Sequence, residues 1–426
     1  MPENNMTAFQ AALAAFQQAG GDLNALAQQS PGFFNATGFG QDRLVRKEVA
    51  LGQIRELEPP QAHMGLQLFA PWKEVAADDV VFEYVTVDTD GLAPARAEDA
   101  ESELAQKDET NVGQGRASVI DWSLKDHYTA SDVNRYRELN RIIEAMKGGN
   151  LPLFASSAQE DFATKLARDE ARRRRKLDNR VEWLIMTSMS TAQLAYNDGK
   201  IKFGVDYGRP ATQQGGNAAN NLPGFVTAGV VDWSGFDHDP IGFFIAVDEF
   251  MFDTYGVHID RAFGSKKIFN RIIRSDKFAQ RAGLGAAFNG NNDPVSPDPN
   301  YLIDGWGPDA ARQVVTRATG VAMIEYDAVY RTRAIGSNTI VNTRFFPQNR
   351  LLFMPTIADL NEIDDTEIGF GKTLTSPHPE GNWTAGFYEW ETPIQQDPWG
   401  LDRGAGVKAF PVFPHMEYTY CVDVVL

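Results

Sequence analysis

Apolar or small residues recur at Leu177, Val181, Leu184, Ser188, Ala192 and Ala195, three or four positions apart throughout. That period marks a helix with a single buried stripe, continued more loosely upstream through Phe162 and Leu166. From about Ala158 no proline or glycine interrupts the run until Asn197-Asp198-Gly199, which reads as a C-terminal cap and turn. The spacing therefore predicts a helix to about Asp198, roughly 60 Å long at 1.5 Å per residue. An ordinary globular helix is far shorter. Its first half carries Arg172, Arg173, Arg174, Arg175 and Lys176 in succession, a charge run that encircles the helix and cannot all be buried. The stretch Ile201 to Asp206 reads as a strand following it.

Elsewhere the pattern alternates between sheet and helix. Residues 1–60 read as an arm: Phe9, Leu13 and Phe16 share one face of a short helix, ended by Gly20-Gly21, with too little apolar surface for a core. From about 63 to 125 the pattern is β. Val80 to Val87 is rich in β-branched and aromatic residues, and Gly115 to Ser123 is the expected returning strand. Between them, Glu98, Asp99, Glu101, Glu103, Asp108 and Glu109 face one basic residue, Lys107. This predicts a two-stranded arm with an exposed acidic tip, and such a ribbon is marginal alone. Helical signal returns from Ser131 to Met146. A Gly, Asn and Gln loop over 209–224 precedes a compact domain from Trp233 to Phe346, with helices over Pro240–Asp253, Ser265–Ala279 and Asp309–Thr319 and a strand over Val321–Tyr326. Asn289 to Pro299 reads as a surface loop. Residues 350–426 are β-rich, with strands over Arg350–Met354, Trp383–Glu391 and Tyr418–Val425.

The 426 residues are 43% hydrophobic, enough for a sizeable core in two or three domains. Forty basic against 57 acidic side chains leave a net charge of −17, a poor balance for wrapping nucleic acid. The single cysteine, Cys421, precludes an intramolecular disulfide. No apolar run approaches the roughly twenty residues that span a bilayer, and the N-terminus lacks the pattern of a secretory signal. The sequons at Asn35 and Asn382 then carry no meaning.

Candidate chemistry is sparse. Gly369-Phe-Gly-Lys-Thr373 looks like a phosphate loop, but Thr366 stands where its first glycine belongs. No G-x-S-x-G, H-E-x-x-H or C-x-x-C spacing occurs. His238-Asp239 reads as a helix-start turn, Asp364, Asp365 and Glu367 as an exposed acidic turn, and Cys421 as a small strand residue. No catalytic, cofactor-binding or metal-binding residue is expected.

The order of these elements resembles the lambda-type (E family) major capsid proteins of tailed phages. The resemblance is carried by the basic helix passing through Glu182-Trp183 and by the strand leading to Asp206-Tyr-Gly-Arg-Pro210. Trp233-Ser234, Asp239-Pro240, Asn382-Trp383, Asp397-Pro398 and Phe410-Pro-Val-Phe-Pro414 add to it. It covers the chain from about residue 60. It implies an α+β fold of the Hong Kong 97 type with a long spine helix, a β-arm called the E-loop, and peripheral and axial domains. On that mapping 1–60 is the N-terminal arm, 61–130 the E-loop and 131–235 the peripheral domain with its spine. Residues 236–349 form the axial domain, and 350–426 return to the peripheral sheet.

The implied function is structural. The protein would self-assemble into hexamers and pentamers of an icosahedral virion shell, made in the host cytoplasm, that encloses DNA without reading its sequence and touches no membrane. Scaffold, portal and decoration proteins are the partners such a shell can use. Rival readings are a portal or tail protein and an enzyme; the missing set of converging titratable residues speaks against the second. Crosslinking through Lys107 or Lys125 would need a neighbour's asparagine and carboxylate. Between subunits, the acidic Glu98, Asp99, Glu101 and Glu103 are expected to meet Arg172, Arg173, Arg174, Arg175 and Lys176 of an adjacent copy.

Overall fold

A computed structural model describes residues 47–86, 111–129, 131, 162–197, 201–281, 287–288, 294–295, 309, 312–333, 339–356, 368–392, 395–396 and 399–426. Its axis is helix α3, Phe162–Thr191, 30 residues and so about 45 Å long. Before it come helices α1 (Lys47–Glu56) and α2 (Gly65–Leu68), and strands β1 (Trp72–Glu74), β2 (Asp79–Thr86), β3 (Asn111–Ser118) and β4 (Ile120–Thr129). The expected stripe is real: Leu177, Val181, Leu184, Ser188 and Ala192 are all buried.

The helix nevertheless stops seven residues short of the expected end. Ala192 takes a left-handed φ of 53°, and Gln193–Asn197 forms strand β5, paired antiparallel with β6 (Lys202–Asp206). Ala195 therefore leaves the stripe and is exposed. Helix propensity permits Ala192 to Tyr196 to continue the helix, but the β-ladder with β6 and the stacking of Tyr196 on Phe203, 5.6 Å between centroids, override that weak preference.

After β7 (Val230–Asp232) comes α4, Pro240–Tyr255, with the ends its sequence encodes. Asp239 accepts from the Gly242 amide as N-cap, Pro240 follows it, and Gly256 closes the helix at φ 71°. The predicted helix 265–279 is two: Ser265 caps α5 (Lys266–Ile272), and α6 (Asp276–Arg281) follows after Ser275, whose hydroxyl bonds to the His238 carbonyl. Strand β8 (Arg261–Gly264) precedes α5, and a helix over 312–319 precedes β9 (Ala322–Glu325). Strands β10 (Val329–Arg333) and β11 (Ile340–Arg344) then form a hairpin.

Residues 350–426 were expected to form one β region of the peripheral domain. Instead they divide between two sheets. Strands β12 (Arg350–Met354) and β16 (Tyr420–Val425) complete a five-stranded sheet in the order β9-β8-β12-β16-β7. Strands β13 (Lys372–Thr375), β14 (Phe387–Glu391) and the 14-residue β15 (Trp399–Val412) join β1 and β4 in the other sheet. There β15 is the hub, antiparallel to β4 over ten residues from Ile120↔Ala409 to Thr129↔Gly400. Alternation along β12 sets the layering. Leu351 and Phe353 face a core under α4 and α5, whereas Leu352 and Met354 face a second core against the spine helix.

Candidate assembly surfaces

The arginine run lies on a helix packed against a sheet, so its members divide by direction. Arg172, Arg175 and Lys176 are exposed. Arg173 is only 1% exposed; it reaches Asp126 on β4 at 2.8 Å and Glu389 on β14 at 3.1 Å. Arg403 on β15 also meets Glu389, at 2.5 Å, and lies 3.4 Å from Glu170 of the spine. Glu170 is itself buried, and desolvation together with the facing charge of Glu389 pushes its carboxyl up to about 8. Arg174 pairs with Asp178 at 3.0 Å, stacks 3.3 Å over Phe387 and donates to the Ile54 carbonyl at 2.5 Å, in the last turn of α1. A cation at a helix C-terminus is favoured there. The expectation that all five basic residues are offered to a neighbour is thus corrected for Arg173 and Arg174, whose charges are spent inside the chain. Glu98, Asp99, Glu101 and Glu103 lie outside the described residues.

Further along the spine, Glu182 accepts from the amides of Met64 and Gly65 at 3.0 Å each and from the Tyr326 hydroxyl at 2.6 Å. One buried carboxylate thereby joins the spine, the segment leading to the arm, and the start of the β10–β11 hairpin. Burial raises its proton affinity. At the C-terminal end of α3, Arg209 donates to the Met189 carbonyl at 2.7 Å and Arg350 to that of Ser190 at 3.0 Å, satisfying carbonyls that the helix leaves open. This is the work of Asp206-Tyr-Gly-Arg-Pro210. Gly208, at φ 78°, donates its amide to the Asp206 side chain and turns Arg209 back under the helix end.

The two strands of the arm, β2 and β3, pair with each other from Asp79↔Ser118 to Thr86↔Asn111. At their root Asp78 accepts from Lys408 at 2.8 Å and from Ser376 at 2.5 Å, and both bonds hold its carboxyl below the usual carboxylate range. Val81 on the arm is 65% exposed. So are other large apolar groups: Ile340 and Val341 on the hairpin, and Trp383 at 72%, on a turn where Asn382 and Trp383 both adopt left-handed φ. The β-pattern over Val80 to Val87 pointed to Val81, whereas the hairpin was not read from the sequence, and nothing there marked Trp383 as exposed.

The remaining motifs resolve as structure. Lys372 and Thr373 begin β13, and the Thr373 hydroxyl bonds to the Ala70 carbonyl. His238 stacks on Trp233, and Cys421 is buried in β16. Asp364, Asp365 and Glu367 lie outside the described residues, as do Lys107, Phe9, Leu13 and Phe16. Lys125 is paired with Asp402 at 2.7 Å. Among the described residues, no group of three or more His, Cys, Asp or Glu side chains could hold a metal ion, and no helix is long and apolar enough to cross a membrane.

No family model and no curated protein matches the sequence. Solved structures do resemble the fold. The proposed capsid protein of a prophage of Escherichia coli CFT073 is 12% identical, covering 89% of this chain and 97% of its own, with a TM-score of 0.49. A phage-related protein from Bordetella bronchiseptica RB50 is 12% identical over 90% and 98%, at 0.41. The capsid of the Myoviridae phage XM1 is 9% identical over 87% and 98%, at 0.36.

Proposed function

We propose that this chain is the major capsid protein of a tailed bacteriophage, a subunit of Hong Kong 97-like fold that assembles into the hexamers and pentamers of an icosahedral shell. The observation that carries this reading is the β2–β3 arm. It leaves the body at Asp78, pairs with no third described strand, and carries Val81 into solvent. A two-stranded ribbon is marginal by itself, so it needs the surface of another copy to lie on. On this reading 61–130 is the E-loop, 131–235 the peripheral domain and 236–349 the axial domain. Strands β12 and β16 of 350–426 belong with the axial sheet. A net charge of −17 suits a wall that encloses DNA without adhering to it. The contact foreseen for the acidic Glu98 to Glu103 narrows to Arg172, Arg175 and Lys176 of a neighbour. Assembly takes place in the host cytoplasm, with or without scaffold, portal and decoration proteins.

Negative-stain imaging and sedimentation of the purified protein test the reading. Capsomers or closed shells are expected; a monodisperse monomer at micromolar concentration, or twelvefold rings with a helical crown, would overturn it.

A further inference from the structure

The start of α3 is held to the sheet by charge more than by apolar contact. Before Leu177 its described buried positions are Leu166, Glu170, Arg173 and Arg174, whereas from Leu177 onward apolar side chains such as Val181, Leu184 and Ile185 predominate. Glu170 faces Glu389 on β14, Arg403 on β15 and Arg173 one turn along its own helix. Asp126 and Tyr128 of β4 touch that Arg173, at 2.8 and 3.4 Å, and Glu391 lies 3.9 Å from Arg403. Because β4 follows directly on arm strand β3, the same seam braces the strand from which the arm springs.

Charge does not balance across this seam. Three carboxyls whose side chains are at most 6% exposed, Glu170, Glu389 and Glu391, share two guanidiniums, those of Arg173 and Arg403. Asp126 stands apart at the rim, 41% exposed. Glu389 Oε1 accepts from both guanidiniums. Glu170 Oε1 and Glu389 Oε2 are buried and meet no donor among the described residues, and Arg173 Nε, itself without an acceptor, does not reach them. Yet the two side chains lie within hydrogen-bonding reach of each other. Two carboxylates so placed repel in a dry interior, whereas a carboxyl and a carboxylate bond. One proton supplies the missing donor and leaves two buried negative charges against two positive ones.

We infer that Glu170 and Glu389 hold one proton between them, and that this proton fastens the start of α3 to β14 and β15, so that the seam loosens as pH rises while the rest of the helix stays in place. Every group in the seam belongs to one copy, so the inference stands apart from the shell-forming reading. A freed helix start returns Glu170 to water, where it keeps its proton only to about 4.5. The closed seam therefore binds the proton more tightly, and its hold falls about tenfold per pH unit until Glu170 ionises in place near 8.

Hydrogen exchange of the full-length protein, read by mass spectrometry and corrected for intrinsic rates, tests it. Protection of 166–174 relative to 181–189 is expected to fall about tenfold from pH 6.5 to 7.5 and to level off above about 8. Glu170→Gln, whose amide donates to Glu389 at any pH, should make that ratio constant. The infrared difference between wild type and Glu170→Gln should show one protonated carboxyl at about pH 6.5 that is gone by about pH 9. If Glu170→Gln does not fold, Glu389→Gln takes its place: its amide donates to an ionised Glu170, and the pH dependence should vanish in the same way. A wild-type ratio that ignores pH, or one that moves as much in the variant, overturns the shared proton. So does a difference spectrum with no protonated carboxyl.

Discussion

Glu182 holds three parts of the chain at once, so its loss is felt three times. Glu182→Ala leaves the Met64 and Gly65 amides and the Tyr326 hydroxyl without their acceptor, which is expected to cost about 3–5 kcal/mol in urea unfolding. Gly65 sits so close that an added Cβ would lie 2.7 Å from the Glu182 carboxylate and 3.1 Å from Ile185. Gly65→Ala should therefore cost about 1–3 kcal/mol, measured in the same way. Protons act at this scale too. Glu170 keeps its proton to about pH 8 in the fold against 4.5 when free, so the native state binds more protons and stability falls as pH rises through that window. His63, lowered by burial to about 4 from 6.5, acts in the opposite sense, its contribution being lost as pH falls below 6.5. Between pH 6.5 and 8 the Glu170 effect stands free of His63. Glu170→Gln should flatten the decline of the melting temperature there in part, since buried Asp178 and Glu182 are raised as well. An unaltered slope would mean that Glu170 is ionised in the fold.

At the scale of elements, local rules carried the sequence reading a certain distance. Asp239-Pro240 and Gly256 mark both ends of α4 because a cap needs only its own neighbours. The buried face of α3 was legible from Leu177 to Ser188 for the same reason. The end of α3 was not, because Gln193 to Asn197 becomes a strand only when Lys202 to Asp206 lies beside it. Nor was the fate of the arginines. Arg173 finds Glu389, and Glu170 finds Arg403, more than two hundred residues away, and no local count of charge could match them. The signal available was that Glu170, Arg173, Arg174, Asp178 and Glu182 lie among the buried positions of the helix. One substitution separates the expected helix from the observed one, and a second serves as its control. Leu184→Ala should cost about 3–5 kcal/mol in either case. Ala195→Lys should stay within about 0.5 kcal/mol because Ala195 is exposed on β5; a helix reaching Asp198 would bury that lysine and lower the urea midpoint sharply.

For the whole molecule, stability and assembly are separable. The buried charge network and the Glu182 node lie within one copy, whereas the arm, α4 and the hairpin present apolar groups outward. Val81→Asp should leave the melting temperature of dissociated subunits nearly unchanged, since the side chain is already exposed, while lowering shell yield measured by sedimentation. Equal yield would remove the arm from the contact surface. The division of 350–426 between two sheets belongs to this scale as well. It follows from Arg350–Met354 and Tyr420–Val425 finding each other across the intervening strands of the other sheet, and the alternation within either strand is silent about which sheet it joins.

The long strand β15 has a consequence in time. Its partner β4 is made early, yet Ile120 waits for Ala409, 409 − 120 = 289 residues later. At about 5–20 residues per second, a ribosome needs roughly 15–60 s to supply the other half of that ladder. Until then the arm has no root, because Lys408, which grips Asp78, has not been made either. A polypeptide that has not reached residue 409 therefore lacks the frame that aims its arm. On the proposed reading, competence to assemble waits on Lys408 and Ala409.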